Sequence, residues 1–137
     1  MANLIYNRAK ANLFNKETDY EADVIKVALM ATGHSASTVA NNVWADVSAN
    51  EMTGTGYTAG GTALTTKAVT QDTTTKFDAA DTSWADATFS AYYAVLWDDT
   101  VVTDDLICSF DFGGAKTVSD GTFTIVWSAD GILTLAS

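Results

Sequence analysis

Residues 87–97, Ala-Thr-Phe-Ser-Ala-Tyr-Tyr-Ala-Val-Leu-Trp, decide the fold of this chain. Apolar or aromatic side chains occupy every second position of the stretch, and the intervening positions begin with Thr88 and Ser90. Successive side chains of a β-strand point to opposite faces, so the alternation predicts a long strand with one buried face. The predicted inward-facing set is Ala87, Phe89, Ala91, Tyr93, Val95 and Trp97.

Shorter stretches with strand-like patterns lie on both sides of this one, and no helical pattern alternates with them. This spacing is typical of an antiparallel β-sandwich, jelly-roll or Greek-key-like. Asp130-Gly131 predicts a hairpin turn into the last strand, and residues 31–62 predict a loop with one short element at Val43–Val47. The further predicted strands are Val24–Met30, Ala63–Val69, Thr73–Phe77, Leu106–Phe112, Thr122–Trp127 and Ile132–Leu135.

No repeat, linker or low-complexity block divides the sequence, so we interpret residues 1–137 as a single β domain whose sandwich body spans residues 23–135. The strand faces predict a core of large side chains from three of the predicted strands. Its members are Phe89, Tyr93, Val95, Phe110, Phe123, Ile125 and Trp127.

Residues 1–16 differ in charge from the rest of the chain. They contain no acid and carry +3, whereas the remainder carries 17 acids against four lysines, or −13. Ile5, Ala9 and Leu13 recur at helical spacing and predict a short helix, with Asn3 as its cap. This basic arm either lies on its own acidic body or reaches a neighbour. We expect the second, with Ile5, Tyr6, Arg8, Lys10 and Leu13 as interface candidates.

The overall charge of −10 excludes nucleic acid as an expected partner, since nucleic-acid binding requires a basic surface. The longest apolar run, Ala91–Trp97, is far shorter than the roughly 20 residues that cross a bilayer, so no membrane partner is expected. Residues 1–30 lack the pattern of a secretory signal. The single cysteine, Cys108, is predicted to be a buried apolar residue.

The sequence offers no constellation for catalysis, so neither an enzyme nor a cofactor is expected. His34 is the only histidine, and its Thr/Ser/Ala surroundings predict a solvated loop. The glycines of Gly54–Gly61 do not have phosphate-loop spacing and predict positive φ angles instead. Four acids flanking a predicted hairpin loop would either bind Ca²⁺ or remain solvated carboxylates. They are Asp98, Asp99, Asp104 and Asp105.

Four tryptophans are many for this length. Trp97 and Trp127 fall on apolar strand faces and predict core positions. Trp44 and Trp84 have loop-like surroundings, which makes them interface candidates. Exposed in one plane, they would instead stack on sugar rings and indicate a carbohydrate-binding or adhesin module.

Eight blocks of the sequence resemble, in the same order, a family of small virion structural proteins of tailed bacteriophages. The resemblance runs almost from end to end, and the order and spacing of the blocks carry it. The blocks are Tyr6–Lys10, Asn12–Asn15, Asp23–Met30, Val43–Ser48, Gly54–Gly61, Val95–Asp99, Asp111–Gly114 and Thr122–Trp127.

The resemblance implies a virion component assembled in the host cytoplasm, specifically a capsid decoration (cement) protein on the outside of the head. Its expected partner is the major capsid protein or another virion protein. Symmetric assembly predicts a homo-oligomer, a trimer or a dimer. A tail or neck component of the same virion is the alternative. The resemblance supplies no catalytic positions.

Overall fold

The computed structural model describes residues 2–136. Two antiparallel sheets and one short N-terminal helix make a mainly β fold, which confirms the predicted fold class. Two 3₁₀ turns, Trp44–Asp46 and Ser48–Asn50, interrupt the long predicted loop, and the first coincides with the short element expected there. The elements are β1 (Leu4–Ile5), α1 (Asn7–Asn15), β2 (Ile25–Met30), β3 (Thr62–Ala63), β4 (Ala68–Thr70), β5 (Thr75–Asp78), β6 (Thr82–Asp98), β7 (Leu106–Ile125) and β8 (Leu133–Leu135).

The larger sheet has the strand order β1-β7-β6-β2-β3, and the smaller one has the order β4-β5-β8. Both β2 and β7 pair antiparallel with the central strand β6, placing Ala28 opposite Val95 and Leu96 opposite Cys108. The smaller sheet covers one face of the larger one, and Phe77 of β5 joins the core between them. Cys108 is buried, as predicted.

Strand β2 and the adjoining half of β6 are buried on both faces. Leu29 and Leu96 belong to the core beneath the smaller sheet, whereas their neighbours Met30 and Val95 belong to a second cluster on the opposite face. Tyr6 and Val47 cover that second cluster. A strand buried on both sides needs apolar residues at consecutive positions. This explains the unbroken apolar run Ala91–Trp97, which the one-sided prediction does not.

Strand β7 corrects the sequence analysis. The predicted strands Leu106–Phe112 and Thr122–Trp127 are parts of one 20-residue strand that runs through Gly113 and Gly114. The partner β6 is 17 residues long and pairs with it from end to end, with several register shifts. Such bulges bend and twist a ribbon without ending it, so glycine here accommodates irregular strand geometry and not a turn.

Two further predictions need correction. Of the predicted core set, Phe89, Val95 and Trp127 are buried, whereas Tyr93, Phe110, Phe123 and Ile125 are half-buried at its margin. The Asp130-Gly131 turn does not form a hairpin with the preceding strand. Its chain returns to the smaller sheet, where the Ile132 N–H donates to the Phe77 carbonyl at 2.8 Å and β8 pairs with β5.

The glycine loop has the predicted backbone geometry at three of its four glycines. Gly56, Gly60 and Gly61 have positive φ, with Gly61 at +87°, whereas Gly54 does not. At Gly61 the loop passes so close to β2 that a Cβ atom would overlap the Val27 carbonyl. Glycine is therefore required here both for its conformation and for the close approach that lets β3 pair with β2.

Candidate interaction surface

Helix α1 is fixed to the body at both ends. At its start, β1 pairs with β7 (Leu4 opposite Ser109), and Tyr6 is the residue that precedes the helix. Farther along, the Asn12 side-chain amide donates to the Asp105 carboxylate at 2.7 Å in a buried contact. Lys16 ends the helix in the left-handed conformation. A nine-residue helix is unstable alone, so these contacts hold it in place.

The structure corrects one of the five interface candidates in the arm. The Tyr6 side chain is 0% exposed and packs against its own body, so it is not free to contact a neighbour. Ile5 lies in β1 opposite Cys108 and is half-buried, and it also lines the groove described below. Asn3 does not cap the helix either, since its side-chain oxygen accepts the Asp111 N–H at 2.6 Å. Strand pairing with β7, 100 residues away along the chain, overrides the local helical spacing.

The other three candidates lie on α1 in different surroundings. The pKa of Asp46 lies below its usual range, chiefly because the backbone N–H groups of Asn42 and Val43 donate to its carboxylate. Arg8 is half-buried, and its charge lowers this pKa further. Lys10 is exposed, and its ammonium donates to the Asn7 side chain at 3.3 Å. Leu13 is 40% exposed.

Between α1 and the smaller sheet lies an apolar groove of about 280 Å³. Lys10 on the helix and Lys76 on β5 supply its two cations. The volume is just below the roughly 300–1,000 Å³ of small-molecule pockets, so the groove suits a few protein side chains better than a cofactor. Its apolar wall is formed by Ile5, Leu13, Tyr20, Phe77, Leu133 and Leu135.

Phe14 is a functional candidate that the sequence analysis did not select. It follows Leu13 on α1, and its side chain is 90% exposed. Phe14 lies outside the Ile5-Ala9-Leu13 stripe, and an apolar residue off the stripe of a short amphipathic helix is the signal that would have found it. An aromatic ring this exposed on an anchored helix is a candidate anchor for another protein.

The connection between β6 and β7, residues 99–105, forms an acidic tip with an apolar end. Val102 is fully exposed at this end. A backbone hydrogen bond fixes the tip to the rest of the chain: the Trp44 N–H donates to the Asp104 carbonyl at 2.8 Å. Burial and the nearby Asp99 charge raise the pKa of Asp104. Negative charge is therefore crowded around an exposed valine.

The four acids of this region do not converge as a calcium site would require. Asp98 is fully buried, and Asp105 accepts bonds from Asn12 and from the Thr103 hydroxyl at 2.6 Å. Asp99 forms an ion pair with Lys26 at 3.0 Å. Within residues 2–136, no group of three or more His, Cys, Asp or Glu side chains is arranged to hold a metal ion.

The two tryptophan candidates occupy different environments. Trp84 lies within β6, not in a loop, and is only 4% exposed, so its proposed place at an interface is wrong for this chain. Trp44 is half-buried and stacks on Trp97, with ring centroids 5.1 Å apart and planes 9° apart. The carbohydrate hypothesis depended on exposed, coplanar Trp44 and Trp84, and the burial of Trp84 removes that support.

His34 is not the solvated loop residue predicted from the sequence. It is 4% exposed, its Nε2 lies 3.3 Å from the Ser109 hydroxyl, and its ring packs edge-on to Tyr93. Burial lowers the pKa of the imidazole. Among the described residues, Nδ1 has no hydrogen-bond partner, so no carboxylate orients the ring as in a catalytic triad.

Comparison with known proteins adds no identity to this surface. No helix within residues 2–136 is both long and apolar enough to span a bilayer. No family model matches the chain, and neither a curated protein nor a solved structure shows significant similarity to it.

Proposed function

We propose that this chain is a non-enzymatic structural component of a tailed-phage virion that binds the outside of the head lattice as a decoration protein. The major capsid protein is its proposed partner. The exposure of Phe14 on an anchored, basic helix is the observation that carries the proposal. The ordered resemblance of eight sequence blocks to phage virion proteins supports it independently.

Phe14 has the properties of a binding anchor. Hot-spot residues of protein interfaces are large, become fully desolvated on binding, and are often aromatic. Because α1 is held by the Asn12–Asp105 bond and by β1, little conformational freedom is lost when the ring docks. Lys10, one turn before Phe14, and Lys16 at the helix end place positive charge beside it. Such charges favour an acidic partner surface and increase the association rate.

A lattice explains why one anchor per chain is sufficient. Repeated copies on a particle bind with higher overall affinity than each contact alone provides, provided that the geometry allows simultaneous engagement. A rigid β body with a single projecting aromatic side chain fits this kind of multivalent attachment.

Replacing Phe14 with aspartate should weaken attachment to particles by about 30-fold or more, the loss that corresponds to a hot spot of about 2 kcal/mol. The measurement is co-sedimentation of purified protein with particles stripped of it. Val39→Asp is the matched control, because Val39 is also a highly exposed apolar residue, at 81%, but lies outside α1. We expect this control to bind as the native chain does.

Equal binding of Phe14→Asp and the native chain would contradict the proposed attachment surface. Immunogold labelling of particles from cells that express the chain tests the location. Label on the heads is expected. Label confined to tails or necks would assign the chain to that part of the virion, and unlabelled particles would overturn the virion proposal.

A further inference from the structure

The apolar groove beside α1 is chemically complementary to another part of the same chain. Its wall is apolar, and among residues 2–136 its ionisable groups besides Tyr20 are the ammonium groups of Lys10 and Lys76. An occupant should therefore carry one or two aliphatic side chains with carboxylates beside them. The tip between β6 and β7 has this composition, with Val101 and Val102 between Asp99 and Asp104.

The tip cannot reach the groove of its own chain. The side chain of Asn12 holds Asp105 on one side of α1, whereas Lys10 and Leu13 line the groove on another. The Leu106 N–H donates to the Asn42 carbonyl at 3.0 Å and fixes the base of the tip. A tip that enters the groove must therefore come from a second copy.

We propose that this groove is a homo-oligomer contact that receives the 99–105 tip of a second copy of the chain. Val102 fills the apolar space beside Leu13 and Phe77. The Asp104 carboxylate, which unlike Asp99 and Asp105 is not engaged by another side chain of its own chain among the described residues, meets the groove cation Lys10 at the rim. Because the tip is already fixed by backbone bonds, its docking costs little ordering. The inference goes beyond particle attachment and does not depend on it.

Phe14 is a less suitable occupant of the groove. Its insertion into a second copy would bring two basic helices together, each with Lys10 and Lys16 near the contact. Like charges facing each other across an interface oppose association. The tip brings acids to these cations instead, and Phe14 is left free for a different partner.

The same contact builds either of the symmetric assemblies expected from the sequence. Two copies that exchange tips reciprocally form a two-fold dimer, and copies that each pass a tip to the next form a closed ring such as a trimer. In both assemblies every groove is filled. The number of copies is read directly from the measured mass.

The test is the mass of the purified chain by sedimentation and light scattering at micromolar concentration. We expect the native chain to be an oligomer and Val102→Asp to be a monomer or at least tenfold weaker in association. Val39→Asp is again the matched control and should associate like the native chain. A monomeric native chain, or equal association of Val102→Asp and the native chain, would overturn the proposal.

Two further measurements identify the contact itself. Val69, which lines the groove and is 43% exposed, and Val102 are each replaced by cysteine in separate chains. Mixed under oxidation, the two variants should form a disulfide-linked pair, and the buried native Cys108 should not compete. In a double-mutant cycle, the effects of Lys10→Ala and Asp104→Asn on the free energy of association should be non-additive. A mixture without cross-linked pairs, or strictly additive effects, would show that the tip binds elsewhere.

Discussion

Replacing Tyr6 with alanine should lower the free energy of unfolding by about 3–5 kcal/mol, the usual cost of truncating a large buried aromatic side chain. The Tyr6 side chain is 0% exposed and packs with Met30, Val95 and Leu106 in the second core cluster. Its backbone N–H donates to the Ile107 carbonyl at 3.1 Å and holds the start of α1 against β7. Since whole domains are stable by only about 5–15 kcal/mol, the variant should be close to unfolding.

The matched control is Tyr6→Phe. The Tyr6 hydroxyl is buried, and burial raises its pKa to about 12 against the opposing effect of the Ser109 side chain beside it. Removing the hydroxyl while keeping the ring should cost about 1 kcal/mol at most, the net contribution of a single hydrogen bond. Urea denaturation of both variants measures the difference. A loss below about 1 kcal/mol for Tyr6→Ala would show that the N-terminal segment is not part of the core in solution.

The burial of Tyr6 changes how the charge asymmetry of the sequence is interpreted. The contrast of +3 and −13 favours an arm that reaches a neighbour. Burial of Tyr6, Ala9 and Asn12 makes the segment part of the fold, so we expect deletion of residues 2–16 to destabilise the body. Charge alone does not distinguish a docking arm from an integral strand and helix, because both lie on an acidic surface.

The fold class could be predicted from local sequence because strand alternation is a local property. The stretch from Ala87 to Trp97 lies in a strand as predicted, and the predicted strand Val24–Met30 forms over Ile25–Met30. The single inward face predicted for residues 87–97 is wrong, because a register shift between Ala91 and Tyr93 moves the alternation to the other face: Ala87, Phe89 and Ala91 lie in the first core cluster, and Tyr93, Val95 and Trp97 lie with the second. Trp84 was missed because a register shift lies between Trp84 and Ala87, near Asp86 with its φ of +50°. This bulge reverses the alternation and turns Trp84 to the buried face, which a strict period of two does not reveal.

The candidate surface was less predictable than the fold. The helix could be found from the spacing of Ala9 and Leu13, but the groove beside it could not. Its wall combines α1 with β4, β5 and β8, which lie far from α1 along the chain. Proximity between segments more than 50 residues apart depends on the sheet order, and local patterns carry no information about it.

The buried carboxyl of Asp98 should make the free energy of unfolding depend on pH. Its side chain is fully buried, and one carboxylate oxygen accepts the Thr100 N–H at 2.9 Å. Burial raises the pKa of Asp98 from 3.8 to about 6, and the neighbouring Asp23 carboxyl contributes through a hydrogen bond and its charge. The folded chain therefore binds a proton at pH values where the unfolded chain has released it. Stability from this group is present below about pH 4 and is lost as the pH rises through about 6.

Asp98→Asn should remove this dependence. An asparagine keeps the acceptor for Thr100 and supplies an N–H group toward Asp23, without a buried charge. We expect it to raise the free energy of unfolding by up to about 3 kcal/mol at pH 7.5, because a shift of about two pKa units corresponds to that much. At pH 4 the gain should vanish, since Asp98 is protonated in the folded chain.

The difference between the native chain and Asp98→Asn, measured by urea denaturation from pH 4 to 8, isolates this carboxyl from other titrating groups. His34 acts in the opposite direction: burial depresses its pKa, so acidification below its unfolded pKa of 6.5 removes stability from both proteins equally. Asp99→Asn is the control, because Asp99 lies next in sequence but is paired with Lys26 at the surface. It should not gain stability at pH 7.5. A stability difference that is constant with pH would mean that folding does not shift the pKa of Asp98, and a loss at pH 7.5 would mean that its charged form stabilises the folded chain.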